Sequence, residues 1–415
     1  MLVLVAGVAA PCWGQSILDA YRPYLELHER TAPVGERGAA PPAEPKIFGL
    51  TSDEEWAELV DQTWGPGSED FLDFFDQLWT AIDEEYGAFH NLDVDLEEIR
   101  ARYRPEIAAG VSRGRFAAIL NHFSLALMDA HTFFIDRLVN WGTYPAPGLP
   151  LFVIGAWMDN SRFGAALTPL PDDTLLVYRA LPDHVLGLEP GDIVLGYDGV
   201  PWKELYRRLL DAELPVHLGW VCGSTDASME HCLMMSAGLN WHLFETIDVV
   251  KYRTGETVHL PTAELRYQSG RIWGNEQIPV PGVPMPDFWN EDYVTWGIVE
   301  GTQIGYIYVA SWSWEDVHQI SQQFYDAIHA LMFDHETAGL ILDFRYNTGG
   351  DMREAHSGYS LLFDERIAAV SFDIRGDPDD HYDMVPHPTH TARLFTIPGN
   401  PATYYDRPIA VLTGP

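Results

Sequence analysis

The sequence predicts a multidomain α/β protein, with a helical part first, a small β-rich domain next and an alternating strand–helix section last. Three observations carry that reading. Apolar residues recur at helical spacing between residues 69 and 129. From about residue 149 the pattern shifts to short strand-like runs broken by Pro, Asp and Gly. From Gly305 onward a strand, a helix and a strand succeed one another, which is the order of a parallel crossover. The chain has 415 residues, too many for one ordinary core, and 47% of them are hydrophobic, ample material for several.

The opening MLVLVAGVAAPCWGQ has the size of a signal-peptide core over residues 1–14 and is too short to span a bilayer, although it lacks a basic leading region. This predicts a secreted or periplasmic protein. Cys12 invites lipid attachment, but Pro11 before it fits that poorly, so plain export ranks higher. Removal of the leader leaves Cys222 and Cys232, which spacing alone reads equally as a disulfide or as two buried thiols. Residues 15–68 read as a linker or arm, Pro-, Gly- and Ala-rich over 33–46.

The helical domain is expected over 69–147. Phe71, Phe74, Phe75, Leu78, Trp79, Ile82 and Tyr86 line one amphipathic helix; Phe116, Ile119, Leu120, Phe123 and Leu127 line a second, from about Arg115 to Asp129. That helix ends in Asp129-Ala130-His131-Thr132, which places His131 at an exposed helix end, and His122 is expected on the solvated face. The β-rich domain spans 148–266 with a helical insertion. In it, Gly187-Leu188-Glu189-Pro190-Gly191-Asp192 turns into Ile193-Val194-Leu195, and Asp198-Gly199 reads as a hairpin turn. The last domain, 267–415, has a strand over Gly305–Ser311 and a helix lined by Val317, Ile320, Phe324, Ile328 and Leu331, with Ser313 as its cap and Asp316 three residues on. A strand through Leu340-Ile341-Leu342, a helical segment from about Met352 to Phe363 and a buried strand in RPIAVLTGP complete it.

Charge narrows the function. With 25 basic against 61 acidic residues the net charge is −36, which repels nucleic acid and anionic membranes. The chemistry concentrates in GLILDFRYNTGGD. There a buried strand passes into Asp343, Arg345, Asn347 and the pair Gly349-Gly350, and adjacent glycines present bare N–H groups as a developing oxyanion requires. Asp343 and Arg345 are expected to pair with each other or with the turn, in a supporting role. Asp379, Asp380, His381, Asp383, His387 and His390 match no compact zinc spacing, and Pro386 and Pro388 mark a solvated loop. Glu84, Glu85, Asp93 and Asp95 read as solvated charges rather than a glycosidase pair.

The order of three elements resembles one family. A D-x-H-T end to a helical domain, a G-L-x-x-G-D-x-[IVL] run and a D-x-R-x-N-x-G-G turn together are similar to the serine peptidases that include the tail-specific processing proteases, the tricorn core protease and the interphotoreceptor retinoid-binding repeats. The elements here are Asp129–Thr132, Gly187–Ile193 and Asp343–Gly350, and the resemblance covers roughly 69–415. It implies a PDZ-like β-rich domain and an incomplete crotonase-like core. It further implies serine-type peptide hydrolysis with His131 as general base, oxyanion donors at Gly349 and Gly350, and a supporting turn of Asp343, Arg345 and Asn347. Gly187, Leu188, Gly191 and Asp192 would bind the C-terminus of an unfolded protein or peptide substrate, and no cofactor is implied. The family's serine follows a strand like IAVLTGP, so the chain to Pro415 is expected to be an inactive piece lacking the nucleophile; Ser311 and Ser313 are structural. Other branches use a serine–lysine pair, and no lysine follows Lys251. The rival reading is a non-catalytic peptide- or hydrophobic-ligand-binding protein on the same scaffold. An acyl-CoA enzyme is disfavoured by the helical and PDZ-like parts.

Overall fold

The structure, a computed structural model, describes residues 53–414 apart from 91, 93, 130–131, 141–147, 156–161, 219–224, 270–271, 273–278, 287–292, 313–316, 346, 348, 352, 371–372 and 388–395. These residues fall into two compact units, 38–276 with 362–404, and 277–361 with 405–412. The leader, the 33–46 stretch and Cys222 lie outside the described residues.

The first unit begins with four helices, α1 (Asp53–Thr63), α2 (Phe71–Glu85), α3 (Leu96–Ala109) and α4 (Arg113–Ala126). Side chains start two of them as capping rules require: Asp95 accepts the Glu98 N–H at 3.0 Å and Ser112 the Arg115 N–H at 3.1 Å. Phe75, Trp79, Ile82, Ile119, Leu120 and Phe123 form the core between them, and the Trp79 indole donates to the Leu96 carbonyl at 2.9 Å. Helix α1 corrects the reading of 15–68 as an arm. Its Trp56 and Val60, four residues apart, are buried in the β-rich core. It lies so close to α4 that a Cβ on Gly114 would stand 2.7 Å from the Val60 carbonyl oxygen.

A second correction concerns α4, which is buried through Phe116, Ala117, Ala118, Ile119, Leu120, Asn121, Phe123 and Ser124 rather than along one stripe. Strands cover the face expected to be wet. The first is β1 (Phe152–Ile154); next come β2 (Ala165–Pro169), β3 (Leu175–Ala180), β4 (Ile193–Tyr197) and β5 (Val200–Pro201), then helix α5 (Trp202–Asp211) and β6 (Val216–Leu218). His122 is therefore not solvated: its Nε2 lies 3.1 Å from the Leu214 carbonyl oxygen, and burial lowers its pKa. Asn121 accepts the Val216 N–H at 2.8 Å, and Asn140 donates to the Val216 carbonyl at 3.0 Å. The helical and β-rich parts thus share one body across the expected boundary at 147.

Helix α6 (Asp226–Met235) and strands β7 (Thr246–Val250) and β8 (Thr257–Pro261) complete the β-rich part. Its antiparallel sheet runs β2-β3-β4-β7-β8, with β5 hairpinned onto β4 through Asp198 and Gly199 at φ 51° and 80°, the turn that the sequence implied. Trp202 and Trp241 are wholly buried, and Trp202 donates to the Leu233 carbonyl at 2.8 Å. Strand β1 pairs in parallel with β6. Asn240 supplies it with a substitute neighbour, accepting the Val153 N–H at 2.9 Å and donating to the Val153 carbonyl at 2.8 Å. Cys232 is buried in α6.

The second unit carries β9 (Val294–Ile298), β10 (Ile304–Val309), α7 (Val317–His329), β11 (Gly339–Phe344) and α8 (Arg353–Tyr359). Strands β10 and β11 are parallel across α7, as the strand–helix–strand order predicts, and β9 is antiparallel to β10. Ile320, Phe324, Ile328 and Leu331 are fully buried beneath the helix. The sequence then forms two short antiparallel pairs, β12 (Ile367–Ala368) with β15 (Thr396–Ile397) and β13 (Asp373–Arg375) with β14 (Met384–Pro386). These belong to the first unit, so the expected 267–415 core is interrupted over 362–404. The last strand, β16 (Ile409–Thr413), pairs with β11 but is not buried: Ile409 is 37% and Val411 45% exposed, because β16 is the edge of the order β16-β11-β10-β9. Among the described residues no helix is long and apolar enough to cross a membrane.

Candidate functional site

Strand β11 ends in a turn that is braced from below. Asp343 is 2% exposed and its carboxylate takes a bidentate pair from Arg345, at 2.9 and 2.8 Å, together with the Tyr306 hydroxyl from β10 at 2.7 Å. Burial, then the Asp343 bond and charge, drives the Tyr306 phenol far above its usual pKa, so it stays a donor. A buried carboxylate so fully bonded is costly to disturb.

Asn347 shapes the next step of the turn. Its amide donates to the Val309 carbonyl at 3.2 Å and its oxygen accepts the Gly349 N–H at 2.9 Å. Trp312 then binds across the turn: its N–H donates to the Gly349 carbonyl and its carbonyl accepts the Asp351 N–H, both at 2.7 Å. Gly349 and Gly350 take φ 84° and 129°, which side-chain-bearing residues resist. These bonds separate the two oxyanion candidates. The Gly349 N–H is spent on Asn347, whereas the exposed Gly350 N–H makes no hydrogen bond among the described residues. Ser311 is 7% exposed with Oγ 3.5 Å from the Gly349 carbonyl, a structural position; Ser313 lies outside the described residues.

The histidine element is described on either side of its central pair. Ala130 and His131 lie outside the described residues. Thr132 donates its N–H to the Asp129 carbonyl at 3.1 Å and its hydroxyl to the Asp129 carboxylate at 2.6 Å. Tyr86 reaches the same carboxylate oxygen from the end of α2 at 3.5 Å, and burial, with the Asp129 charge and bond, pushes its phenol up to about 12. Sequence reading placed Tyr86 in an apolar stripe and missed its hydroxyl; a tyrosine as the last member of a stripe otherwise built of Phe, Leu, Trp and Ile was the available signal.

The Gly187–Asp192 turn does not match its expected role in peptide binding. Gly187 N–H donates to His184 at 2.7 Å, Gly191 N–H to Val177 at 2.8 Å and Asp192 N–H to Glu189 at 3.1 Å, all at main-chain carbonyls. The Asp192 side chain is wholly buried, accepts the Glu189 and Tyr252 N–H groups at 2.9 Å each and pairs with Lys251, while Leu188 lies in the core. A peptide carboxylate would find these donors already occupied by the protein's own acceptors.

The acidic, histidine-rich loop is partly a hairpin. His381 Nε2 lies 2.8 Å from Asp83 Oδ1, and its ring stacks on Phe89 with centroids 4.2 Å apart. His387 is half-buried and His390 lies outside the described residues. Among the described residues no group of three or more His, Cys, Asp or Glu is arranged to hold a metal. Glu84 and Glu85 are exposed, Asp95 is a helix cap, and Asp93 lies outside the described residues.

Residues 303–415 match the model of peptidase family S41. No curated protein sequence matches the chain. Among solved structures, mature CPAF complexed with lactacystin is 14% identical with a TM-score of 0.54, covering 83% of this chain and 79% of that one. A point mutant of CPAF is 16% identical with the same TM-score of 0.54 and the same coverage, 83% and 79%. The photosystem II D1 C-terminal processing protease is 15% identical over 83% of this chain and 75% of that one, at a TM-score of 0.33. At such identities the CPAF likeness speaks to the fold. The matched segment holds β10, α7, β11, the glycine turn and β16, and over it the chain resembles peptidase family S41.

Proposed function

We propose that the protein is a serine-type endopeptidase of the tail-specific or tricorn-like kind, exported from the cytoplasm and acting on unfolded proteins or peptides. The observation that carries this is exposed Gly350, whose N–H makes no hydrogen bond among the described residues, on a turn bonded by Asn347 and Trp312. A donor fixed before the reaction costs no reorganisation as charge develops, which is how an oxyanion site lowers a barrier. In this reading the scissile carbonyl oxygen would meet Gly350, and Gly349 would hold the loop. His131 would take the proton of a serine that follows β16, because a hydroxyl is a poor nucleophile until an imidazole accepts its proton. The PDZ-like reading of the β-rich part and the crotonase-like reading of the core belong to the same proposal. So does export, which N-terminal sequencing of the mature protein would check by a start near residue 15.

The test uses the protein read through its full natural frame, with an unstructured protein as substrate. Turnover is expected, and His131→Ala is expected to lower kcat by roughly 10⁴-fold with an unchanged unfolding midpoint. Near-normal turnover in that variant would point to a serine–lysine mechanism. Peptide binding without turnover in the parent would establish the binding-protein reading instead.

A further inference from the structure

The hairpin of β13 and β14 grips the end of helix α2 through one arginine. Arg375 donates to the Asp83 carbonyl at 3.1 Å and the Tyr86 carbonyl at 3.0 Å, and also to Pro378 at 2.8 Å and Asp377 at 3.3 Å within its own hairpin. The first two are carbonyls at the helix C-terminus, which lack partners within the helix and carry its negative dipole end, so a guanidinium suits them twice over. From the same hairpin His381 bonds the Asp83 carboxylate and stacks on Phe89. Phe89 in turn meets Tyr86 edge-on with centroids 5.1 Å apart. Tyr86 is thus fixed from two directions, by its carbonyl and by its ring. Its hydroxyl is aimed at the Asp129 carboxylate, which also takes the Thr132 hydroxyl.

We propose that Arg375, His381 and Tyr86 are positioning residues for the Asp129–Thr132 element. The hairpin would act as a clasp that sets the place of Asp129 and Thr132, the described ends of this element, from about 246 positions further along the chain. The inference rests on the peptidase reading for its catalytic consequence, but not for its structural one. Helix termini fray and loops open locally at little cost. A tyrosine hydroxyl at the far end of an arginine-capped helix restrains the acceptor it touches. Two guanidinium bonds to the end of α2 and a ring stack on Phe89 converge beside Tyr86, whose hydroxyl reaches Asp129.

The test pairs a kinetic with a non-kinetic reading. In the full-frame protein, Tyr86→Phe keeps the ring and removes only the hydroxyl; it is expected to lower kcat roughly ten- to a hundredfold, as for a displaced catalytic group, with KM nearly constant. Arg375→Ala should do the same. The double variant should be no worse than the more impaired single variant, because both act along one path. Unchanged kcat in both single variants, or losses that multiply in the double, would overturn the proposal. Amide hydrogen exchange on the 415-residue chain decides independently of turnover: both variants should exchange faster at residues 126–129 and 132–134 than the parent. If the full-frame parent proves inactive the peptidase reading fails alone, and unchanged exchange would still refute the clasp.

Discussion

Two glycine turns sit beside buried strands in this chain, and they differ in which of their N–H groups are bonded. At Gly187–Asp192 the main chain folds back on itself, and a buried aspartate takes two further N–H groups and a lysine. At Asn347–Gly350 a neutral side chain takes one N–H, and the next, at exposed Gly350, makes no hydrogen bond among the described residues. Both turns need φ values open to glycine. What separates them is the accounting of donors: a closed turn holds a fold, and an open one can hold an oxyanion.

Asp192→Ala should have the largest effect. It would strand Lys251 and two N–H groups around a wholly buried site, at a cost of about 3–5 kcal/mol in urea unfolding, while turnover per folded molecule in the full-frame protein stays near the parent value. Lost turnover with intact stability would erase the contrast between the turns. Next comes Gly350→Ala, which keeps the N–H but puts a side chain at φ 129°, so the backbone must shift and move the donor; kcat is expected to fall by roughly a hundredfold, about 3 kcal/mol, as when such a donor is lost. Gly349→Ala is its control: φ is 84° there with nothing within 4 Å of a Cβ, so it shares the backbone strain but not the unbonded donor, and should keep more of kcat. Equal kinetic losses would mean that the two glycines matter only through loop shape.

Acid should separate the two units. His122, His184, His217 and His242 all lie in the unit with the closed turn, and burial lowers the pKa of each, His242 to about 4. A histidine whose folded pKa is depressed stabilises the fold above its unfolded value of about 6.5, and this contribution is lost as pH falls toward the folded value. His242 alone should account for about 2 kcal/mol between pH 7 and pH 5. Hydrogen exchange across that range should report opening first in residues 53–276. A reversed order would show that other groups govern acid stability. The smallest effect is expected from Asn347→Ala, about 1 kcal/mol for the lost bonds to Gly349 and Val309, with kcat falling as the turn loosens.

Much of this was legible in the sequence where period and turn chemistry agreed. The β10–α7–β11 crossover, the Asp198-Gly199 hairpin and the Asp343–Arg345 pair followed from apolar runs, a two-residue turn and opposite charges two apart. The misses share a cause, since each depended on a partner remote in the chain. Helix α1 carries Trp56 and Val60 to a core built from residues 150–265, and His122 becomes buried only because Leu214 arrives beside it. A Gly-rich turn written in one dimension does not disclose whether its N–H groups are spent: Val177 and Tyr252, which close the Gly187 turn, lie 10 or more residues away from it. Arg375 and His381 were unreadable for the same reason, being meaningful only beside Tyr86, whose place at the end of its stripe was the one signal on offer.

The side chain of Asn240 has one more consequence. By occupying both polar groups of Val153 it ends the β1 ladder on that side with an amide that cannot be extended, so a second molecule finds no strand edge there to copy.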